Sequence, residues 1–114
     1  MKVSFEGIGE RAVTFYNSQV NAAAAGKAVK IAANDTVSLC ADGDKLVGFC
    51  IDADEYTATV KTAGFVTAAY TGTAPTLGFC ALCADAAGGV KAGSGREYLV
   101  IEVDTAAKTV GFII

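Results

Sequence analysis

The sequence contains four cysteines, whose thiols could bind a metal ion or exchange disulfides. Cys80 and Cys83 form a C-x-x-C pair, and Cys40 and Cys50 precede it. Four thiolates can hold a structural zinc ion, and a C-x-x-C pair can also exchange disulfides. The pair lies within an apolar, strand-like run, however, and residues three apart on a strand point to opposite faces. We therefore predict that no metal is bound and that the cysteines are reduced, buried side chains.

The sequence contains no histidine. Its absence excludes serine and cysteine triads and most catalytic zinc sites, because each of these needs an imidazole. Residues 21–28 resemble a phosphate-binding loop only faintly, since Asn21 replaces the first glycine and Ala28 replaces the final serine or threonine. These observations predict a protein that is not an enzyme and that holds no cofactor.

The charge of the chain is low and slightly acidic. Nine basic and twelve acidic residues give a net charge of −3 and a pI near 4.7, and the basic residues are spread thinly. Binding to nucleic acid needs a concentrated basic surface, so neither nucleic acid nor an anionic membrane is predicted as a partner. No apolar run approaches the ~18 residues that span a bilayer, and no hydrophobic stretch follows Lys2, so we expect no signal peptide.

Apolar residues that alternate along the chain predict the elements that must position any site. Such alternation recurs through the sequence, and turn signals such as Asn34-Asp35 and Gly88-Gly89 separate the runs. A 53% hydrophobic composition also excludes a disordered chain. The pattern predicts a small, single-domain, all-β barrel or sandwich with at most one short helix. The predicted core comprises Val47, Phe49, Ile51, Val60, Phe65, Leu77, Phe79, Leu99, Ile101, Val103, Val110 and Phe112.

Two features of the sequence leave the organisation of the predicted barrel open. Residues 17–26 are either a helix of about two turns or an irregular linker, because so short a helix is marginal on its own. The apolar segments around Gly48, Gly78 and Gly111 are similar to one another. We interpret them as equivalent strands of a barrel with an internal repeat, in which glycine permits a bulge or a close backbone approach.

Residues 26–114 contain a G-x-x-V strand, a G-D-x-x-x-G turn and strand, a V-x-x-x-G-x-V strand and a glycine- and valine-containing carboxy-terminal stretch. The segments concerned are residues 26–30, 34–37, 42–48, 60–66, 75–78, 88–91, 96–100 and 108–114. In their order and spacing they resemble the small capsid decoration proteins, or cement proteins, of tailed bacteriophages.

The resemblance implies a mechanical function. It implies a virion protein, made in the host cytoplasm, that binds the outer surface of a head shell and stabilises it by protein–protein contacts. The implied partners are the major capsid protein and further copies of the chain, as a homotrimer. The alternative is a carrier domain of the lipoyl or biotinyl type, with Lys45 as the modified residue, or another non-catalytic β interaction module.

The amino-terminal segment is where we expect the partner contact. Residues 1–25 are predicted to form an arm or hairpin and a linker, and residues 26–114 the barrel-like domain. An isolated pair of short strands is barely stable, so its apolar residues need a surface, either in this chain or in a neighbour. The predicted contact residues are Val3, Phe5, Ile8, Val13, Phe15 and Tyr16.

Overall fold

The computed structural model describes residues 9–114, and all regular structure in that part of the chain is β-strand. The prediction of an all-β barrel is confirmed. The strands are β1 (Arg11–Asn17), β2 (Ala28–Ala33), β3 (Thr36–Leu39), β4 (Gly48–Ala53), β5 (Thr57–Ala63), β6 (Phe65–Thr71), β7 (Gly78–Ala84), β8 (Val90–Ala92), β9 (Arg96–Asp104) and β10 (Thr109–Ile113).

The ten strands form two closed five-stranded barrels. In the first barrel the order is β1-β3-β2-β4-β5, and β5 pairs with β1 to close it. In the second the order is β6-β8-β7-β9-β10, and β10 pairs with β6. Each barrel has one parallel pair, β1 with β3 and β6 with β8, and its other pairs are antiparallel. Closure leaves no strand of either barrel as a full sheet edge.

The internal repeat is therefore a repeat of whole barrels, in which β1–β5 correspond to β6–β10. The sequence interpretation of three equivalent glycine strands is wrong. Gly48 begins β4, Gly78 begins β7 and Gly111 lies in the middle of β10. In chain order these strands are respectively the fourth, second and fifth of their barrels, so the similar segments are not structural equivalents.

The close backbone approach expected at these glycines occurs at Gly48. A Cβ atom there would overlap the carbonyl oxygen of Lys61 on the neighbouring strand β5. No side chain fits between the two strands at this point, so glycine is required by space rather than by its backbone angles.

The part of the predicted arm that the structure describes is a wall of the first barrel. β1 pairs with β5 from Arg11 to Tyr16. After β1, residues 18–27 form no helix and follow an irregular path, so the linker alternative holds. The buried Asn17 side chain fixes this path, because its amide donates to the carbonyl of Asp54 at 2.9 Å and accepts from the N–H of Ala23 at 2.8 Å.

The two barrels share part of one hydrophobic core. The larger buried cluster lies mainly in the second barrel but includes Ala28, Leu46 and Phe49 from the first. The Phe49 and Phe112 rings meet edge to face, with centroids 6.1 Å apart. A smaller cluster around Val29, Val37 and Val60 fills the first barrel alone.

Of the twelve predicted core residues, four are buried, four are partly buried and four are exposed. Phe49, Val60, Val110 and Phe112 are buried as predicted, but Ile51, Leu77, Phe79 and Leu99 are exposed. The reason in β9 is a bulge: Val100 lies opposite Phe112 and Glu102 opposite Gly111, so Ile101 is an extra residue that shifts the alternation. A similar irregularity follows Cys50 in β4, next to the exposed Ile51.

Candidate functional site

Three of the six predicted contact residues lie in the described chain, all on β1. Val13 is 39% exposed, Tyr16 is 64% exposed, and Phe15 is partly buried. Val3, Phe5 and Ile8 lie outside the described residues, and the prediction for them is unchanged.

Val13 and Phe15 belong to the inner face of the first barrel. They lie opposite Val60 and Ala58 of β5, which are fully buried, and directly opposed residues of an antiparallel pair point to the same face. Within residues 9–114, β1 pairs with β3 only through Tyr16 and Asn17. The preceding part of β1 therefore extends beyond the β2–β3 hairpin, and its inner-face side chains are accessible.

This arrangement forms an open depression that we call the β1 groove. It consists of two adjoining cavities of about 430 and 580 Å³, which share Phe15 and Asp35 in their lining. The groove is lined principally by Val13, Phe15, Tyr16, Ile31, Asp35 and Thr57.

The hairpin turn at Asp35 positions one side of the groove. Asn34 and Asp35 form the predicted two-residue turn between β2 and β3, with Asp35 in the left-handed region at φ 57°. The carbonyl of Asp35 accepts a hydrogen bond from the N–H of Tyr16 at 2.8 Å. The turn thus anchors β1 where the groove ends. Ile31, which is 50% exposed on β2, supplies an apolar wall that the sequence analysis did not assign.

A second accessible apolar surface lies on the second barrel. Phe79 of β7 lies opposite Leu99 of β9, and Leu99 lies opposite Ile113 of β10. These residues form a row across three adjacent strands, and the exposed Leu77 lies two residues before Phe79, in the connection that leads into β7. Their exposed fractions are 69% for Leu77, 72% for Phe79, 38% for Leu99 and 39% for Ile113. We call these four residues the apolar strip.

Acidic side chains accompany the apolar strip. Glu97 precedes Leu99 by one strand period, and Glu102 follows it on the same face beyond the bulge. Both are exposed. The salt bridges within residues 9–114 join other side chains: Lys30 with Asp44, Lys61 with Glu10, and Lys91 with Asp42.

The cysteines occupy positions that differ in burial and surroundings. Cys50 and Cys83 are buried, whereas Cys40 and Cys80 are partly buried. Burial raises the pKa of the Cys40 thiol to about 11 and also raises the pKa of Cys50. Neutral thiols therefore prevail at these two positions at neutral pH. In the described part of the chain, no group of three or more cysteine or acidic side chains could hold a metal ion.

Lys45, the residue that would be modified in a carrier domain, does not lie at the tip of a hairpin. Lys45 is exposed, but it lies in the connection between β3 and β4, and these strands pair with other strands rather than with each other. The adjacent turn is held against the second barrel instead. There the N–H of Gly43 donates to the carbonyl of Ala84 at 2.8 Å, and the N–H of Ala84 donates to the carbonyl of Asp44 at 2.9 Å.

Three residues of the apolar strip belong to the core predicted from the sequence, although the structure exposes them. Leu77, Phe79 and Leu99 alternate as core residues do, and alternation alone does not state which face is buried. The bulge in β9 and the pairing of β7 with β9 decide the facing, and neither is visible as a local pattern.

Between residues 9 and 114 no helix is long and apolar enough to cross a membrane. In comparisons with known proteins, the chain matches no family model, no curated protein and no solved structure.

Proposed function

We propose that this chain is a non-catalytic structural protein that binds the outer surface of a phage head shell and stabilises it by protein–protein contacts. The partner is the major capsid protein, and copies of the chain associate as a homotrimer. The resemblance of residues 26–114 to phage decoration proteins supports this proposal. The observation that carries it is the β1 groove, where predicted contact residues are accessible together.

The β1 groove suits a partner that inserts an extended segment. Val13 and Phe15 are inner-face residues that the barrel does not cover completely. Removing such apolar side chains from water contributes about 25 cal/mol per Å². Next to them, the stretch of β1 before Tyr16 has no pairing to β3. Addition of a strand to such a position combines main-chain hydrogen bonds with pockets for alternate side chains.

A substitution in the β1 groove tests the proposal. Val13→Glu places a charge among the apolar side chains, and Val20→Glu is the matched control, because Val20 is 72% exposed and does not line the groove. Expanded head shells of the phage that encodes the chain are incubated with each protein and pelleted. We expect Val13→Glu to weaken binding at least about tenfold, which corresponds to about 1.4 kcal/mol, and Val20→Glu to bind as the unmodified chain does.

Thermal unfolding of both variants separates loss of contact from loss of structure. Val13 is 39% exposed, so we expect the Val13→Glu barrel to remain folded. If the folded variant binds shells as tightly as the control, the β1 groove is not the contact. If the unmodified chain does not pellet with shells, the proposed function is wrong.

A further inference from the structure

We propose that the apolar strip is a second, independent contact surface for the shell, and that it fits a protein surface with an apolar centre flanked by lysine or arginine side chains. The inference rests on the proposed function and deepens it by naming the chemistry of the partner. It concerns the second barrel, whereas the β1 groove lies on the first.

The apolar strip is continuous across three adjacent strands of the second barrel. Single exposed apolar residues are common on protein surfaces, whereas contiguous ones mark interaction sites. Phe79, Leu99 and Ile113 are direct register partners on adjacent strands. Their side chains stand about 5 Å apart from one strand to the next, and the exposed Leu77 lies in the connection just before β7. Phe79, at 72% exposure, offers a large apolar surface of the kind that anchors interfaces.

Two exposed acidic side chains flank the apolar strip. Glu97 and Glu102 lie before and after Leu99 on the outer face of β9. Neither forms a salt bridge with a described lysine or arginine. A partner that carries cations at the rim of its apolar centre would pair with them, which favours encounter and fixes orientation.

The same charges disfavour a second copy of the chain on this surface. Face-to-face contact of two strips would bring Glu97 and Glu102 of one copy near those of the other. Juxtaposition of like charges opposes association. The charge pattern therefore selects a basic-rimmed partner over self-association through the strip.

Binding to purified expanded shells tests the inference with the full-length chain. Phe79→Glu introduces an acid in the centre of the strip, and Ile51→Glu is the matched control, because Ile51 is 51% exposed on the first barrel and lines neither part of the β1 groove. We expect Phe79→Glu to lower shell affinity at least tenfold and Ile51→Glu to leave it within about twofold. Leu77→Glu provides a second variant outside the regular strands, in case Phe79→Glu does not fold.

Charge neutralisation tests the rim separately. We expect the double variant Glu97→Gln, Glu102→Gln to bind shells more weakly at low salt and to lose affinity less steeply as salt is added. A salt dependence identical to that of the unmodified chain would overturn the predicted basic rim.

The remaining outcomes distinguish the two proposals. If Val13→Glu weakens shell binding and Phe79→Glu does not, the inference is overturned while the proposed function stands. If Phe79→Glu lowers the mass in sedimentation equilibrium and leaves shell affinity unchanged, the strip binds a second copy and the inference is overturned. If the unmodified chain does not bind shells, both proposals fail.

Discussion

At the residue scale, the Lys30–Asp44 ion pair holds the turn between β3 and β4 that contacts the second barrel. The Lys30 Nζ donates to Asp44 Oδ2 at 2.6 Å, and the N–H of Ala41 donates to the same oxygen at 2.8 Å. These bonds lower the pKa of Asp44, with the lysine as the larger cause, and the bond to Asp44 raises the pKa of Lys30. The carbonyl of Asp44 in turn accepts from Ala84 of the second barrel.

These pKa shifts predict a loss of stability in acid. The folded-state pKa of Asp44 lies below its unfolded value, which is about 3.9. Its contribution is therefore complete above that value and is lost as the pH falls through the folded pKa. We expect the free energy of unfolding of the unmodified chain to fall between about pH 5 and about pH 2 by more than that of Asp44→Asn.

Denaturant titration at several pH values measures this difference, with Glu55→Gln, an exposed turn residue, as the control. Parallel pH profiles for the unmodified chain and Asp44→Asn would contradict the role given to the ion pair. The raised pKa of Lys30 adds a loss at the opposite extreme, as the pH rises through its folded value above about 10.4.

At the element scale, strand positions were more predictable than strand facing. Recurring alternation predicts short strands separated by turns, and the predicted Asn34-Asp35 turn separates β2 from β3. The short β8 shows no such alternation, because three residues are too few to show a period. Bulges are invisible to a period-two pattern, so Leu99 was assigned to the core although it lies in the apolar strip.

The candidate site was predictable to a similar extent. Val13, Phe15 and Tyr16 were predicted as contact residues from their place before the resembling segment, and they line the β1 groove together. Ile31 and Asp35 complete it from the β2–β3 hairpin. Their contribution depends on the pairing of β1 with β3 across the chain, which local sequence does not encode.

Because β4 and β5 lie so close together at Gly48, we expect any side chain at this position to destabilise the fold. A Cβ atom would overlap the carbonyl of Lys61, a backbone atom that cannot move without disturbing the pairing of Phe49 with Lys61. We expect Gly48→Ala to lower the free energy of unfolding by about 1–3 kcal/mol. Thermal or denaturant unfolding measures this cost, and an unchanged melting temperature would show that the strands separate freely at this point.

At the scale of the whole molecule, two barrels with the same strand pairing form one structural unit. Phe49 of the first barrel packs on Phe112 of the second, and Gly64 between β5 and β6 exchanges backbone hydrogen bonds with Ile114. The β1 groove and the apolar strip therefore lie on barrels that are joined by a common core. Contacts at either surface would act on a single folded body, as the proposed stabilisation of a shell requires.

Electron microscopy of expanded head shells, with and without the purified chain, tests whether the chain binds the outside of a shell. We expect additional density on the outer surface of the shell, at regularly repeated positions, into which the two barrels fit with the β1 groove facing a shell subunit. At an equal, subsaturating concentration, the density should be weaker when the Val13→Glu variant replaces the unmodified chain. If shells gain no outer density at saturating concentrations of the folded, unmodified chain, the proposed binding to the shell surface is wrong.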